Sequence, residues 1–151
     1  VVGSSMEPSF HSGQRILVNK AIYYLHEPER GDVIVFKPLD NERADYIKRV
    51  IALPGDTVEI TMETVYINDS KLAEPYIKAP PSYTLDKQKM PANNYFVLGD
   101  NRNNSNDSHN SWLVPRQHII GKAWLSIWPP EKWGLTPNYS SQEQLASAVS
   151  N

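Results

Sequence analysis

The sequence contains no cysteine and no long apolar run, and each absence excludes a class of protein. Without cysteine, the 151 residues can have no disulfide framework, no thiol nucleophile and no cysteine-ligated zinc site. No apolar segment approaches the roughly 18 residues that are needed to cross a bilayer. The four histidines have no H-x-x-x-H spacing, so the sequence predicts neither a metal nor a cofactor. Any nucleophilic chemistry must therefore use serine or threonine.

A strong charge of one sign is lacking as well. The net charge is −2 and the isoelectric point is about 6.1, and the 15 lysine and arginine residues are scattered along the chain. A nucleic-acid-binding protein usually has a clustered basic surface, so nucleic acid is not expected as a partner. The length and the 40% of hydrophobic residues predict one domain with one core.

The 12 prolines and the many short runs of β-branched and aromatic residues predict a mostly β fold, with antiparallel sheets and few short helices. Strands are predicted at residues 15–19, 33–38, 46–53, 57–61, 64–68, 95–99 and 119–128. Residues 20–25 are predicted to form a helical turn or two. Residues 79–92 are polar and contain three prolines, which indicates a loop or an excursion from the core. The serine-rich residues 138–151 are predicted to be a flexible tail after a domain of residues 1–137.

A serine in a turn near the start of the chain is a candidate nucleophile. Ser5 lies in the run Gly-Ser-Ser-Met-Glu-Pro-Ser at residues 3–9. A Gly/Ser turn there would expose the hydroxyl and leave backbone N–H groups to face an oxyanion. Linkers and helix caps have the same composition, so this run alone does not identify a catalytic residue. Because Val1 is only four positions before Ser5, we also expect the natural protein to continue before Val1.

A lysine in a predicted strand is the candidate base. The strand at residues 46–53 alternates its side chains between two faces, which puts Lys48 on the same face as Tyr46, Val50 and Ala52. Burial on that face would lower the pKa of the lysine and let its neutral amine accept a proton. Lowering this pKa from about 10.4 to near 7 costs ~4–5 kcal/mol. The alternative from this segment alone is a lysine at the sheet edge with its amine in water.

A polar loop is predicted at the end of the strand that begins at residue 95. Residues 99–108 read Gly-Asp-Asn-Arg-Asn-Asn-Ser-Asn-Asp-Ser. Asp100, Arg102 and Asp107 are predicted to form an ion-pair cluster that fixes the loop, and Ser105 to share a hydrogen bond with a buried amine. The alternatives are an ordinary surface turn or a calcium loop, although the EF-hand spacing is absent and Arg102 would repel a cation.

The order of these segments resembles the conserved boxes of the bacterial and plastid type I signal peptidases (leader peptidases), a family of Ser-Lys proteases. The boxes are Ser-Met-x-Pro at 5–8, Arg-Gly-Asp-Val-Ile-Val-Phe at 30–36, Tyr-Ile-Lys-Arg at 46–49 with Leu-Pro-Gly-Asp at 53–56, and the loop at 99–108. The resemblance extends from Gly3 to about Trp128. It implies a membrane-associated serine endopeptidase that removes N-terminal signal peptides from exported preproteins and cuts after small residues at −1 and −3.

The resemblance also implies roles for individual residues. Ser5 would be the nucleophile and Lys48 the general base that takes its proton. A serine that orients the lysine amine and three residues that hold the site by ion pairs are implied as catalytic support. These four residues are Ser105, Asp100, Arg102 and Asp107.

The oxyanion hole and the substrate groove are implied for a further set of residues. They are Gly3, Ser4, Met6, Tyr46 and Ile47. The family commonly has a serine at the position of Gly3, and its hydroxyl contributes to the oxyanion hole; losing such a donor costs ~10²–10³ in rate. Because Gly3 has no hydroxyl, the resemblance predicts a nucleophile and a base but not a complete oxyanion hole, and full activity of this chain is therefore in question. At Asn103, where many bacterial members have aspartate, we expect little consequence.

The family further implies a membrane. An anchor outside this chain would hold the catalytic domain on the periplasmic, extracytoplasmic or thylakoid-lumen side. Three tryptophans are predicted either to rest in the bilayer interface, with the lipid surface as a partner, or to belong to the core. They are Trp124, Trp128 and Trp133.

The tail contains a sequence like a cleavage site. Ala146, Ser147 and Ala148 place small residues at −3 and −1 relative to a cut after Ala148. We therefore predict that the tail binds in the groove of a neighbouring molecule or is trimmed there.

Two other interpretations stay open. One is another Ser-Lys protease on a related β fold, such as a self-cleaving repressor or the mitochondrial inner-membrane peptidase, although the self-cleaving type lacks the box at residues 99–108. The other is a catalytically impaired peptide-binding module, which Gly3 and the abrupt start of the chain favour. Cleavage assays with Ser5 and Lys48 variants would separate these interpretations.

Overall fold

Eleven strands and one short α-helix form the part of the chain that the structure describes, which is residues 1–40, 43–132 and 134–136 of a computed structural model. The strands are β1 (Arg15–Asn19), β2 (Val33–Phe36), β3 (Tyr46–Ala52), β4 (Thr57–Thr61), β5 (Thr64–Ile67), β6 (Ser70–Lys71), β7 (Leu85–Lys89), β8 (Asn94–Leu98), β9 (Val114–Pro115), β10 (Ile119–Trp128) and β11 (Gly134–Leu135). Helix α1 is Ile22–Leu25, and 3-10 turns occur at Ser108–Asn110, Arg116–His118 and Pro130–Lys132. The predicted tail and Trp133 lie outside the described residues.

The strands form two antiparallel sheets, which confirms the predicted fold class. The larger sheet has the order β1-β10-β2-β3-β8-β9, with β11 paired to β10, and the smaller one has the order β6-β5-β4-β7. A buried cluster joins them, since Ile51 and Phe96 of the larger sheet pack with Val58 and Ile60 of the smaller sheet. The apolar residues that alternate along β3, β4 and β8 therefore form a shared core, and β3 runs through its centre.

Two predicted turns form as expected, one between the sheets and one within the smaller sheet. Gly55 has φ +87°, and the Asp56 N–H donates to the Leu53 carbonyl over 3.0 Å, as in a Pro-Gly turn with glycine at its third position. β4 and β5 form a hairpin whose tip residues, Met62 and Glu63, both have left-handed backbones with φ 47° and 62°. Two left-handed residues match the twist of the flanking strands.

The prediction of a loop throughout residues 79–92 is wrong for Leu85–Lys89. These residues form β7, which pairs with β4 so that Gln88 lies opposite Val58. β7 is an edge strand and most of its side chains are exposed. Edge strands keep charged side chains in water, so β7 lacks the apolar alternation by which a strand is predicted.

The prediction that Ala52 shares a face with Lys48 is also wrong. Tyr46 and Val50 lie in one buried cluster, as the alternation predicts, but Ala52 lies with Ile51 in another. The pairing of β3 with β8 shifts register between Val50 and Ala52. Such an irregularity inserts an extra residue and reverses the alternation beyond it.

Candidate active site

Ser5 and Lys48, the two residues predicted as nucleophile and base, lie in contact. The Lys48 Nζ donates to Ser5 Oγ over 2.8 Å and to the Ile47 carbonyl over 3.1 Å. Lys48 comes from the centre of the larger sheet and is only 6% exposed. The alternative of a sheet-edge lysine with its amine in water is therefore wrong.

Burial and the nearby carboxylates act on the pKa of Lys48 in opposite directions. Burial lowers the pKa of the Lys48 amine from its usual 10.5, because the ammonium form loses its hydration. The carboxylates of Asp107 and Asp100 oppose this shift. Burial has the larger effect, which gives the lysine the character of a base.

The polar loop at residues 99–108 fixes the backbone around Ser5. The Asn101 N–H donates to the Ser5 carbonyl over 2.9 Å, and Asn101 Nδ2 donates to the Ser4 carbonyl over 3.0 Å. The Met6 side chain is 1% exposed and packs with Phe10 in the core. The predicted position of Met6 in the substrate groove is thus wrong. Its side chain instead anchors the Ser5 turn in the core.

The predicted ion-pair cluster of Asp100, Arg102 and Asp107 is wrong in its pairing. The partner of Asp100 is Arg49, whose Nε and Nη2 donate to the two carboxylate oxygens over 2.9 and 2.8 Å. Both side chains are fully buried. Ser9 Oγ donates to Asp100 over 2.6 Å. Through these contacts, Asp100 joins β3, the loop after β8 and the N-terminal turn.

Arg102 and Asp107 each have a different partner. Arg102 pairs with Glu74, and both side chains are buried. Burial raises the pKa of Glu74, and the Arg102 guanidinium opposes this shift. Asp107 accepts from the Gly99 N–H over 2.9 Å and contacts His109 Nδ1. Asp100 and Arg102 thus pair with charged residues from outside the loop, whereas Asp107 closes the loop on its own Gly99.

Arg49 and Glu74 were not predicted as site residues. Arg49 had a usable signal, because alternation along a central strand puts it on the face opposite Lys48, and a buried arginine needs an acid. Glu74 lies between two short elements without periodicity, so nothing in its local sequence indicated a role.

Ser105 lies at the site without its predicted hydrogen bond. Its Oγ is buried and has no hydrogen-bond partner among the described residues. The side chain lines the same recess as Ser5 and Lys48. The predicted contact with the lysine amine is not made in this conformation.

Gly99 packs directly against the Ser5 backbone. A Cβ at this position would lie 2.5 Å from the Ser5 carbonyl oxygen and 2.7 Å from Ser105 Cβ. We expect Gly99→Ala to displace Ser5 and to lower kcat/KM for a peptide substrate about 100-fold, as displacements of about 1 Å do. Ser70→Ala, at an exposed position of β6, is the control and should leave kcat/KM unchanged. Unchanged kcat/KM in Gly99→Ala would contradict the expected displacement.

Two recesses flank the contact between Ser5 and Lys48. The polar recess is lined by Val2, Gly3, Ser4, Tyr46, Asn103, Asn104, Ser105, Asn106 and Asn110. The mainly apolar recess, called the apolar recess below, is lined by Val1, Val2, Ile16, Val18, Val35, Ala44, Asp45, Tyr46 and Ile47. Ser5 and Lys48 line both. Of the predicted groove residues, Gly3, Ser4, Tyr46 and Ile47 thus lie at the cleft.

Gly3 and Ser4 are held by hydrogen bonds of their own. Gly3 has φ +85°, and its N–H donates to Ser12 Oγ over 3.3 Å. Ser4 Oγ accepts from Asn104 Nδ2 over 2.8 Å. Within the described ranges there is no group of three or more potential metal ligands, and no described helix has the length and apolarity to cross a membrane.

Comparison with known proteins gives a consistent family. Residues 1–128 match the family described as signal peptidase, peptidase S26. The chain is 43% identical over 150 residues to a probable signal peptidase I-2 of Synechocystis sp., covering 96% of this chain and 69% of that protein. It is 44% identical over 141 residues to a signal peptidase I of Leptolyngbya laminosa, covering 89% and 70%.

A solved structure agrees with these relatives. The crystal structure of a signal peptidase I from Enterococcus faecalis V583 superposes with a TM-score of 0.56 at 32% identity, covering 63% of this chain and 95% of that chain. The chain therefore belongs to the signal peptidase family, peptidase S26, and within it to the type I signal peptidases, serine proteases that process signal peptides.

Proposed function

We propose that this chain cleaves preproteins by a Ser5–Lys48 dyad. The observation that carries the proposal is the 2.8 Å contact between Lys48 Nζ and Ser5 Oγ at a lysine whose pKa is lowered by burial. The neutral amine takes the Ser5 proton as Oγ attacks the scissile carbonyl carbon, and the resulting ammonium protonates the leaving amine. Water then hydrolyses the acyl-enzyme with Lys48 again as base.

The oxyanion hole has one proposed donor, the Ser5 N–H. Backbone donors aimed at the developing oxyanion are a large part of catalysis in acyl transfer. Gly3 has no hydroxyl with which to supply a second donor, and Ser4 Oγ is engaged by Asn104. We therefore expect turnover below that of relatives with a serine at the Gly3 position.

The substrate is proposed to bind as an added strand along the start of β3. β8 pairs with β3 only from Arg49 onward, and the extended peptide is proposed to add beside Ile47, where β3 continues beyond β8. Branched apolar side chains, among them Val35 and Ile47, line the apolar recess. A recess narrowed by branched side chains admits alanine more readily than larger residues, which supports cleavage after small residues at −1 and −3.

The loop residues are proposed as catalytic support. Asp100 would position Lys48 through the adjacent Arg49, and Asp107 would hold Gly99 against Ser5. Arg102 would fix the loop through Glu74. Ser105 is proposed to orient the Lys48 amine once a substrate narrows the polar recess.

Membrane attachment is proposed on the surface of β10. Trp124 and Trp128 are 50% and 52% exposed, and Leu17 on the paired strand β1 is 42% exposed. Half-exposed tryptophans are typical of the bilayer interface. We propose an anchor outside this chain and a catalytic domain on the periplasmic, extracytoplasmic or thylakoid-lumen side. The tail residues Ala146, Ser147 and Ala148 stay proposed as a ligand of a neighbouring molecule's groove.

The activity can be tested on a peptide with an Ala-x-Ala site, in detergent, with product masses that locate the cut. We expect cleavage after the second alanine and a kcat/KM that rises with pH through an acidic limb. Only the neutral Lys48 amine can accept the Ser5 proton, so activity falls as the pH drops below the Lys48 pKa. The midpoint of this limb should lie below 10.5, because burial lowers that pKa.

The position of the acidic limb can be moved by one substitution. Asp107→Asn removes a carboxylate that favours the Lys48 ammonium, so the limb should shift to lower pH, while the amide oxygen still accepts from Gly99. Asp86→Asn on β7, which is exposed, should leave the limb unchanged. A limb that moves to higher pH in Asp107→Asn would refute the proposed base. A cut elsewhere in the peptide would refute the proposed specificity.

A further inference from the structure

An apolar pocket lies next to the cleft, and the proposed mechanism does not use it. Its volume is about 230 Å³, and aromatic and aliphatic side chains form much of its lining, including Phe36, Leu39, Tyr46 and Trp112. Apolar cavities of about 150 Å³ accept a benzene ring. The pocket is thus large enough for one aromatic or branched aliphatic side chain.

Three aromatic rings line this pocket, and the proposed base lies next to one of them, Tyr46. The ring centroids of Phe36, Tyr46 and Trp112 are 5.9 to 6.4 Å apart. Lys48 Nζ lies 5.6 Å from the centroid of the Tyr46 ring. A ligand side chain in the pocket would therefore be one ring away from the lysine.

The pocket adjoins the polar recess. Tyr46 and Asn106 line both, and Asn106 Oδ1 accepts from Trp112 Nε1 over 3.2 Å. This hydrogen bond fixes the indole at the junction. A polypeptide that leaves the cleft over the polar recess would pass the mouth of the pocket.

We propose that this pocket is a specificity subsite for a large apolar side chain of the substrate on the C-terminal side of the scissile bond. The inference rests on the proposed function, which assigns the apolar recess at Ile47 to the small residues before that bond. The chain after the bond is then left with the polar recess and the pocket. The Tyr46 ring that lines the pocket lies 5.6 Å from Lys48 Nζ, so at ~3.3 Å per extended residue the second to fourth residues after the bond can reach the pocket.

The test is a peptide series with a constant Ala-x-Ala site. Single positions from +1 to +4, and separately −2 and −4 to −6, are changed to alanine, phenylalanine or aspartate, and kcat/KM is measured for each peptide. We expect phenylalanine to exceed alanine about tenfold at one position between +2 and +4, at the low end of what apolar pockets provide.

Two variants connect this preference to the pocket. Leu39→Asp places a charge in the lining at a residue that is 50% exposed, so the fold should be retained while the Phe/Ala ratio falls to about one. Trp112→Ala should have the same effect on the ratio. Tyr24→Ala, at an aromatic residue of α1 that is 90% exposed, is the control and should keep the ratio.

The outcomes distinguish a failure of the subsite from a failure of the proposed function. Equal cleavage of all peptides by the wild type, or a preference that Leu39→Asp leaves unchanged, would overturn the subsite while leaving the dyad in place. A preference confined to positions before the scissile bond that disappears in Leu39→Asp would also overturn it. No cleavage of any peptide would overturn the proposed function and the subsite together.

Discussion

Lys48→Met is expected to lower kcat/KM for an Ala-x-Ala peptide about 10⁴-fold, the upper range for loss of a general base. Methionine fills the volume of the buried lysine stem but cannot take the Ser5 proton. Because the substitution also removes an amine that is costly to bury, the free energy of unfolding should not decrease. Lys71→Met, at an exposed position of β6, is the control and should keep full activity.

The Ser5→Ala variant should be inactive to a similar degree, and the double variant should be no worse than either single variant. Residues that act as one unit give strongly non-additive losses, because either substitution removes the same step. Single-turnover assays at high protein concentration would measure the residual rates. Losses that multiply in the double variant, or Lys48→Met with wild-type kcat/KM, would show that the two residues do not act as a dyad.

The strands that form the core were predictable because their side-chain pattern records burial. β4 and β5 alternate around Met62 and Glu63, and the sheet pairs them in that register. β7 was not predictable, because it is made by backbone pairing at an exposed edge and leaves no apolar pattern. The end of the alternation at Ala52 was also hidden, since a register shift between strands depends on both partners.

The same distinction applies to the candidate site. The burial of Lys48 follows from its own strand, so the sequence could predict it. The partner of Asp100 lies 51 residues away, and the carboxylate could as well have paired with the nearby Arg102. Proximity in the sequence favours Arg102 as the partner, whereas the fold brings Arg49 into contact with Asp100. The subsite pocket is a similar case, because its lining comes from two segments around Phe36 and Trp112 that touch only after folding.

Breaking the Arg49–Asp100 pair should have the largest effect on stability. Arg49→Met leaves the Asp100 carboxylate buried without its guanidinium, and such a loss costs about 3–5 kcal/mol of unfolding free energy. Both side chains are fully buried, so water cannot replace the missing partner. Urea unfolding followed by tryptophan fluorescence would measure the change. Lys87→Met, which removes a charge from an exposed pair with Asp69, should leave stability unchanged.

The double variant Arg49→Met/Asp100→Leu removes both charges. It therefore separates the contribution of the ion pair to the free energy of unfolding from the loss that one buried, unpaired charge causes. Replacing a buried ion pair by apolar residues is often neutral for stability, so the double variant should be more stable than Arg49→Met alone. Its activity should nevertheless stay low, because Asp100 also accepts from Ser9 and holds the turn that carries Ser5. Recovered stability together with recovered activity would mean that the pair does not position the nucleophile. Recovered stability without activity would assign the pair to the geometry of the site rather than to the strength of the fold.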